Sequence, residues 1–124
     1  MSHYVDGFVI PVPKNKIESY RALAEKACRI WMEYGALEYR ECIGDDLEVK
    51  DQLSFTRLAG TKEDETVAFS WIVYRSREHR DEVNAKVMAD PRMNEMCAEH
   101  EMPFDCTRMA CGGFRTIVEN RDGI

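Results

Sequence analysis

The polar residues with chemical potential in this sequence are few and scattered. Asp6 stands between apolar neighbours in Y-V-D-G-F-V, and Ser70 and Tyr74 fall in F-S-W-I-V-Y. Arg80, Asp81 and Asn84 follow in R-D-E-V-N, and Asp105 and Arg108 bracket D-C-T-R. Arg80 and Asn84 are four apart and share a helical face. A carboxylate at Asp6 is the group most in need of a partner if it is buried, and Arg108 is the expected one. Together these groups would bind and polarise a small carbonyl- or phenol-containing ligand. A cofactor-free oxygenase needs no more than that: a base, an orienting site and exclusion of water. The same groups would equally serve as a salt-bridge network holding helix to sheet.

Standard catalytic signatures are absent: no G-x-S-x-G, no phosphate loop, no dinucleotide-binding glycine pattern and no H-E-x-x-H. His3, His79 and His100 lie far apart with no metal spacing, and none sits in an inward strand phase as a haem ligand would. Asp45, Asp46, Glu48 and Asp51 lack the ligand order of a calcium loop. No metal and no cofactor is called for. The five cysteines form no C-x-x-C pair, which argues against a disulfide framework or a zinc site. Cys28, Cys42 and Cys111 read as buried free thiols. Cys106, in a loop, would be an exposed thiol with no histidine beside it in sequence to activate it.

These residues need a scaffold, and its centre is Thr66–Arg75, T-V-A-F-S-W-I-V-Y-R. Val67, Phe69, Trp71 and Val73 alternate with Ala68, Ser70, Ile72 and Tyr74, so neither face is a solvent face. Tyr4–Val12 reads as a strand stopped by prolines, with Gly7 marking a bulge or a close approach. From Lys14 a helix of about twenty residues carries a stripe of Ile17, Tyr20, Ala24, Ala27, Trp31 and Tyr34 and ends at Gly35. Trp31 and Tyr34 read as core packing. Ala36–Gly44 alternates as a strand, with Glu41 in phase with Leu37, Tyr39 and Ile43. Leu53–Leu58 suggests a short extra strand. A helix over Arg77–Asp90, capped by Ser76, precedes a shorter one from Pro91 to about Glu99. Arg108–Val118 is the last strand, and the tail from about 119 to 124 looks frayed.

The order β-α-β-β-α-β predicts a single α+β domain over residues 1–124 of ferredoxin-like pattern, an antiparallel sheet with helices on one face. Right-handed crossovers put the first and third strands in the centre. The other sheet face would be bare and apolar, and a two-fold homodimer with facing sheets would cover it. A cavity between the sheets, or between sheet and helices where the candidate polar groups converge, would be the small-molecule site.

Composition narrows the partners. The chain has 124 residues, 44% hydrophobic and 32% charged, with a net charge of −6. Its basic residues are interleaved with acidic ones, unlike a nucleic-acid-binding face. No apolar run approaches the ~20 residues that span a bilayer. With no signal peptide visible at the N-terminus, a cytoplasmic location is expected.

Several strings also resemble a known family. Y-V-D-G-F-V, Y-G-A-L-E and G-D-D cover the first third. F-S-W-I-V-Y, R-D-E-V-N-A-K-V-M-A-D-P-R-M and M-P-F-D with R-M and G-G-F cover the second half. They are similar to the YbaA-like family of uncharacterised proteins, a branch of the dimeric α/β-barrel superfamily. The resemblance implies a homodimeric ferredoxin-like barrel and no assigned reaction. Two positions depart from the family pattern: Cys106, usually glycine, and Cys111, usually aromatic. The wider superfamily includes cofactor-independent monooxygenases, haem-degrading enzymes, small-ligand regulators and dehydratases, an analogy of fold that fixes no mechanism.

Three functions are therefore open: a dimeric small-molecule binder, a cofactor-independent monooxygenase-like enzyme, and a non-catalytic protein-interaction domain. An enzyme needs a pocket with a partly buried, shifted acid–base group, a binder needs only the pocket, and an interaction domain needs neither. The candidate ligand-binding set is Asp6, Ser70, Tyr74, Arg80, Asn84, Asp105 and Arg108.

Overall fold

The structure is a computed structural model that describes residues 2–98 and 102–120. The expected end of the short helix at Glu99, His100 and the last four residues of the tail lie outside the described residues. The fold is α+β, built on a four-stranded sheet. Its strands are β1 (Tyr4–Pro13), β2 (Glu38–Ile43), β3 (Glu65–Tyr74) and β4 (Ala110–Arg115). Every pairing is antiparallel and the order is β2-β3-β1-β4, so β1 and β3 are central. The two central strands pair along their whole length, from Tyr4 opposite Tyr74 to Pro13 opposite Glu65.

Helices α1 (Ile17–Glu33) and α3 (Arg77–Ala89) cover one face, with α4 (Pro91–Ala98) beside them. Ile30, Val83 and Val87 pack on Ile72 and Tyr74, while Tyr20 and Ala24 pack on Ile10 and Ala68. Ile30, Val12, Val83 and Val87 are fully buried, each contributing about 1.5–3 kcal/mol. Ser76 caps α3 as expected, accepting a hydrogen bond from the His79 backbone N–H at 3.0 Å. His79 Nδ1 in turn accepts from the Arg75 N–H at 3.0 Å, so the buried ring pins the β3–α3 turn.

The segment around Leu53–Leu58 is not a strand. Phe55–Ala59 forms a single helical turn, α2, because both of its ends are capped. The Ser54 hydroxyl accepts from the Arg57 N–H, and Gly60 adopts the left-handed conformation at φ 65° that closes such a turn. Phe55 of α2 packs on Phe69 with ring centroids 5.7 Å apart. The face expected to be bare is thus covered at one end, where Val67 and Pro11 are buried. Beyond α2 the cover is partial: Phe69 is 43% and Phe114 62% exposed, while Val73 of the same phase is buried. Gly7 does mark a close approach, since the Phe114 ring lies over it on this outer face.

Three other expectations shift. The last strand is shorter, because Asp105 caps a 3-10 turn over Cys106–Arg108 before β4 begins. Cys42 and Cys111 are exposed, since both lie on edge strands, and Cys28 is half-buried. Glu119 is not frayed: its carboxylate accepts from the His3 backbone N–H at 3.0 Å and lies 2.8 Å from His3 Nδ1.

Candidate functional site

A cavity of about 440 Å³ opens between the helix-covered sheet face and the helices. Its floor is the inward phase of the sheet: Asp6, Phe8 and Ile10 from β1, Ser70 and Ile72 from β3, Tyr39 and Glu41 from β2. Tyr20, Leu23, Ala24, Ala27 and Trp31 of α1 form one wall. Arg80, Asn84 and Met88 of α3 form another. Met93, Met96, Met102 and Met109, with Phe104, close it from the α4–β4 segment. The walls are mostly apolar and rich in thioethers, which adapt to irregular shapes.

Two polar groups are set into this lining. At the first, Asp6 is 6% exposed and its Oδ1 accepts from Arg80 Nη1 at 2.8 Å. Arg80 also donates from Nε to Asp81 at 2.9 Å, and its guanidinium lies 5.1 Å over the Tyr4 ring. Trp31 Nε1–H and the Tyr74 hydroxyl both donate to Asn84 Oδ1, at 3.0 and 3.2 Å. Two donors on one oxygen fix the orientation of that amide, turning its Nδ2 towards Asp6 Oδ2. Burial pushes the Asp6 carboxyl above its ordinary value, with the Arg80 charge and the Asn84 hydrogen bond pulling the other way.

At the second group, Glu41 accepts from the Tyr20 hydroxyl at 2.6 Å and from the Tyr39 hydroxyl at 2.8 Å, one on each carboxylate oxygen. Burial, then the Glu41 charge, raises both phenols, which stay protonated and donating. Tyr20, Tyr39 and Glu41 also line a second hollow of about 380 Å³ between α1 and β2, so this bridge separates two spaces.

Of the seven residues expected at a site, Asp6, Ser70, Arg80 and Asn84 line the cavity. Tyr74 is buried behind Asn84. Asp105 and Arg108 are elsewhere. The Asp105 carboxylate accepts from the Thr107 N–H and hydroxyl at 3.0 and 2.7 Å. Arg108 is not the partner of Asp6: its Nη1 and Nη2 donate to Glu65 at 2.8 Å each, and Nη2 also donates to the Gly60 carbonyl. Register explains this. Asp6 pairs with Gly113, whereas Glu65 lies opposite Pro13 at the far end of β1, seven residues or roughly 23 Å along a strand.

The residues missed by sequence reasoning are Glu41 with its two tyrosines, and Trp31 as cavity wall. The signal for Glu41 was present: a lone carboxylate in the apolar phase of a strand.

The DUF1428 profile, described as a protein of unknown function, matches residues 3–106. The chain belongs to that family. Its relatives include the uncharacterized protein YbaA of Escherichia coli strain K12, 45% identical over 116 residues, covering 94% of this chain and 97% of that one. YbaA of Shigella flexneri matches at the same identity and coverage. Among solved structures, the de novo designed protein Foldit4 aligns over 94% of this chain and 99% of its own at a TM-score of 0.45 and 8% identity, too distant to bear on function.

Proposed function

We propose that this chain is a homodimeric α/β-barrel protein that binds a small molecule between its sheet and its helices. The observation that carries the reading is the roughly 440 Å³ cavity with apolar walls and two fixed polar groups, the size and make-up of a small-molecule site. The strand order β2-β3-β1-β4 supports a ferredoxin-like β-α-β-β-α-β unit spanning the chain. The exposed Phe69 and Phe114 of the outer face support closure of that face by a second copy. No described helix is long and apolar enough to cross a membrane, which fits the cytoplasmic, membrane-free setting we propose.

Native mass spectrometry of gently purified protein tests this. A dimer carrying an additional small-molecule mass supports both halves of the reading. A monomer overturns the facing sheets, and a protein that never carries or takes up a small molecule overturns the binding.

A second reading, a cofactor-independent monooxygenase-like enzyme, is favoured by Asp6, a buried carboxylate of raised pKa on the cavity wall. There Asp6 would take a proton from the substrate and Arg80 would offset the anion formed. The molecule recovered from the native protein, returned to fresh protein in air, should be converted by the wild type and not by Asp6→Asn. Its recovery unchanged from both would leave binding alone.

A further inference from the structure

We propose that the cavity selects an apolar organic cation, an amine whose ammonium group sits against Glu41. The inference rests on the small-molecule reading above and adds the ligand's charge.

Among the described residues, three charged side chains line the cavity: Asp6, Glu41 and Arg80. Arg80 is already committed, donating to Asp6 and Asp81 and stacking on Tyr4. Glu41 takes part in none of the ion pairs among the described residues, and the hydrogen bonds it accepts come from two neutral phenols. The lining therefore carries one negative charge in excess, localised on Glu41. A carboxylate oxygen accepts two hydrogen bonds. One position on each oxygen is taken by a tyrosine, which leaves accepting capacity for an incoming N–H donor.

The surroundings suit a cation as well. Tyr39 stands 6.1 Å from Trp31, and Tyr20 stands 5.6 Å from Phe104, centroid to centroid. These four rings line the cavity around the carboxylate, and aromatic faces attract ammonium groups, more strongly where water is excluded. The methionines of α3, α4 and the segment before β4 offer a soft apolar channel for the rest of the molecule. A carboxylate or phosphate would instead meet an uncompensated Glu41, with no uncommitted cation among the described lining residues to receive it.

The test is isothermal calorimetry of the full chain with octylamine, octanol and octanoate, which share a body and differ in the charge of the head. Octylamine should bind one site about tenfold or more tighter than octanol, with octanoate weakest. Glu41→Gln should bring octylamine down to the octanol affinity while octanol is unchanged. Octanoate binding as well as octylamine, or an amine preference that survives Glu41→Gln, overturns the charge selection while leaving the cavity reading intact. No binding by any of the three overturns the cavity reading and this inference together. Should Glu41→Gln fail to fold by circular dichroism, the Tyr20→Phe and Tyr39→Phe variants keep the carboxylate and free its oxygens. They should raise the preference for octylamine over octanol severalfold, and an unchanged preference in both would overturn the role of Glu41.

Discussion

Asn84 Nδ2 lies 3.5 Å from Asp6 Oδ2, at the outer limit of a hydrogen bond. The other carboxylate oxygen of Asp6 holds Arg80 at 2.8 Å, so the two ends of one buried acid are unequally satisfied. The weakly held oxygen is the one with capacity left for a ligand.

This asymmetry fixes an order of mutational effects. Because burial raises the Asp6 pKa above the ordinary 3.8, its stabilising proton is bound at low pH and lost as pH rises through the folded value. The ionised form is therefore a net cost relative to the unfolded chain. Asp6→Asn should change stability by less than about 1 kcal/mol, or increase it, since the amide keeps the shape. Arg80→Ala should cost about 3 kcal/mol, because it leaves a buried carboxylate without its cation. The double variant should be more stable than Arg80→Ala alone. Urea midpoints of the three proteins check the order, and a costly Asp6→Asn beside a neutral Arg80→Ala would contradict it.

Glu65 has the opposite sign. The bidentate hydrogen bonds from Arg108, helped by the Lys62 N–H, hold its carboxyl at about 2, below the ordinary 4.5. Its stabilisation is complete above 4.5 and disappears as pH falls towards about 2. Glu65→Gln should cost about 2 kcal/mol at neutral pH, and the cost should shrink towards nothing as pH falls through about 2, where the wild type loses the same contribution. Thermal melts across that range give the difference directly. A gap independent of pH would remove the ionic account.

His79 is a third pH-sensitive point. Burial first, then the charge of Arg75, pulls its pKa below the ordinary 6.5. The folded state prefers the neutral ring, so stability should fall as pH drops below 6.5, where the unfolded chain takes up a proton that the folded one refuses. His79→Gln should cost about 1 kcal/mol at about pH 8 through the lost bond to Arg75. That cost should shrink at about pH 5.5. A difference that widens on acidification would invert the assignment.

Gly113 is tied to the same site by contact. A Cβ there would overlap the end of the Tyr4 ring, and Tyr4 is the ring on which Arg80 rests. Gly113→Ala should destabilise by about 1–3 kcal/mol as Tyr4 rotates away. Its effect should not add to that of Arg80→Ala, because the two share a neighbour. Additive losses would show that Tyr4 does not support Arg80.

Alternation and amphipathic spacing carried most of the fold. The phases of Thr66–Arg75, the stripe on α1 and the Ser76 cap were all legible because each is set by residues close in sequence. Leu53–Leu58 misled because its apolar residues suit a strand, while the deciding groups, Ser54 and Gly60, act only at the ends of the turn. The candidate site was half legible. Arg80 and Asn84 share a helix face and could be grouped by spacing, but which arginine meets Asp6 depends on sheet register. That register places Arg108 beside Glu65 at the other end of β1. Glu41 was visible as a misplaced charge on a strand, but its two tyrosines come from different elements and only packing brings them to it.

The chain's two tryptophans lie on opposite sides of the sheet. Trp31 lines the cavity, while Trp71 lies on the outer face beside Phe69 and donates to Glu38 at 2.6 Å. They are two optical channels with separate addresses. With Trp71→Phe, the remaining indole emission follows what enters the cavity. With Trp31→Phe, it follows what meets the outer face, so filling and association can be timed independently in two parallel solutions.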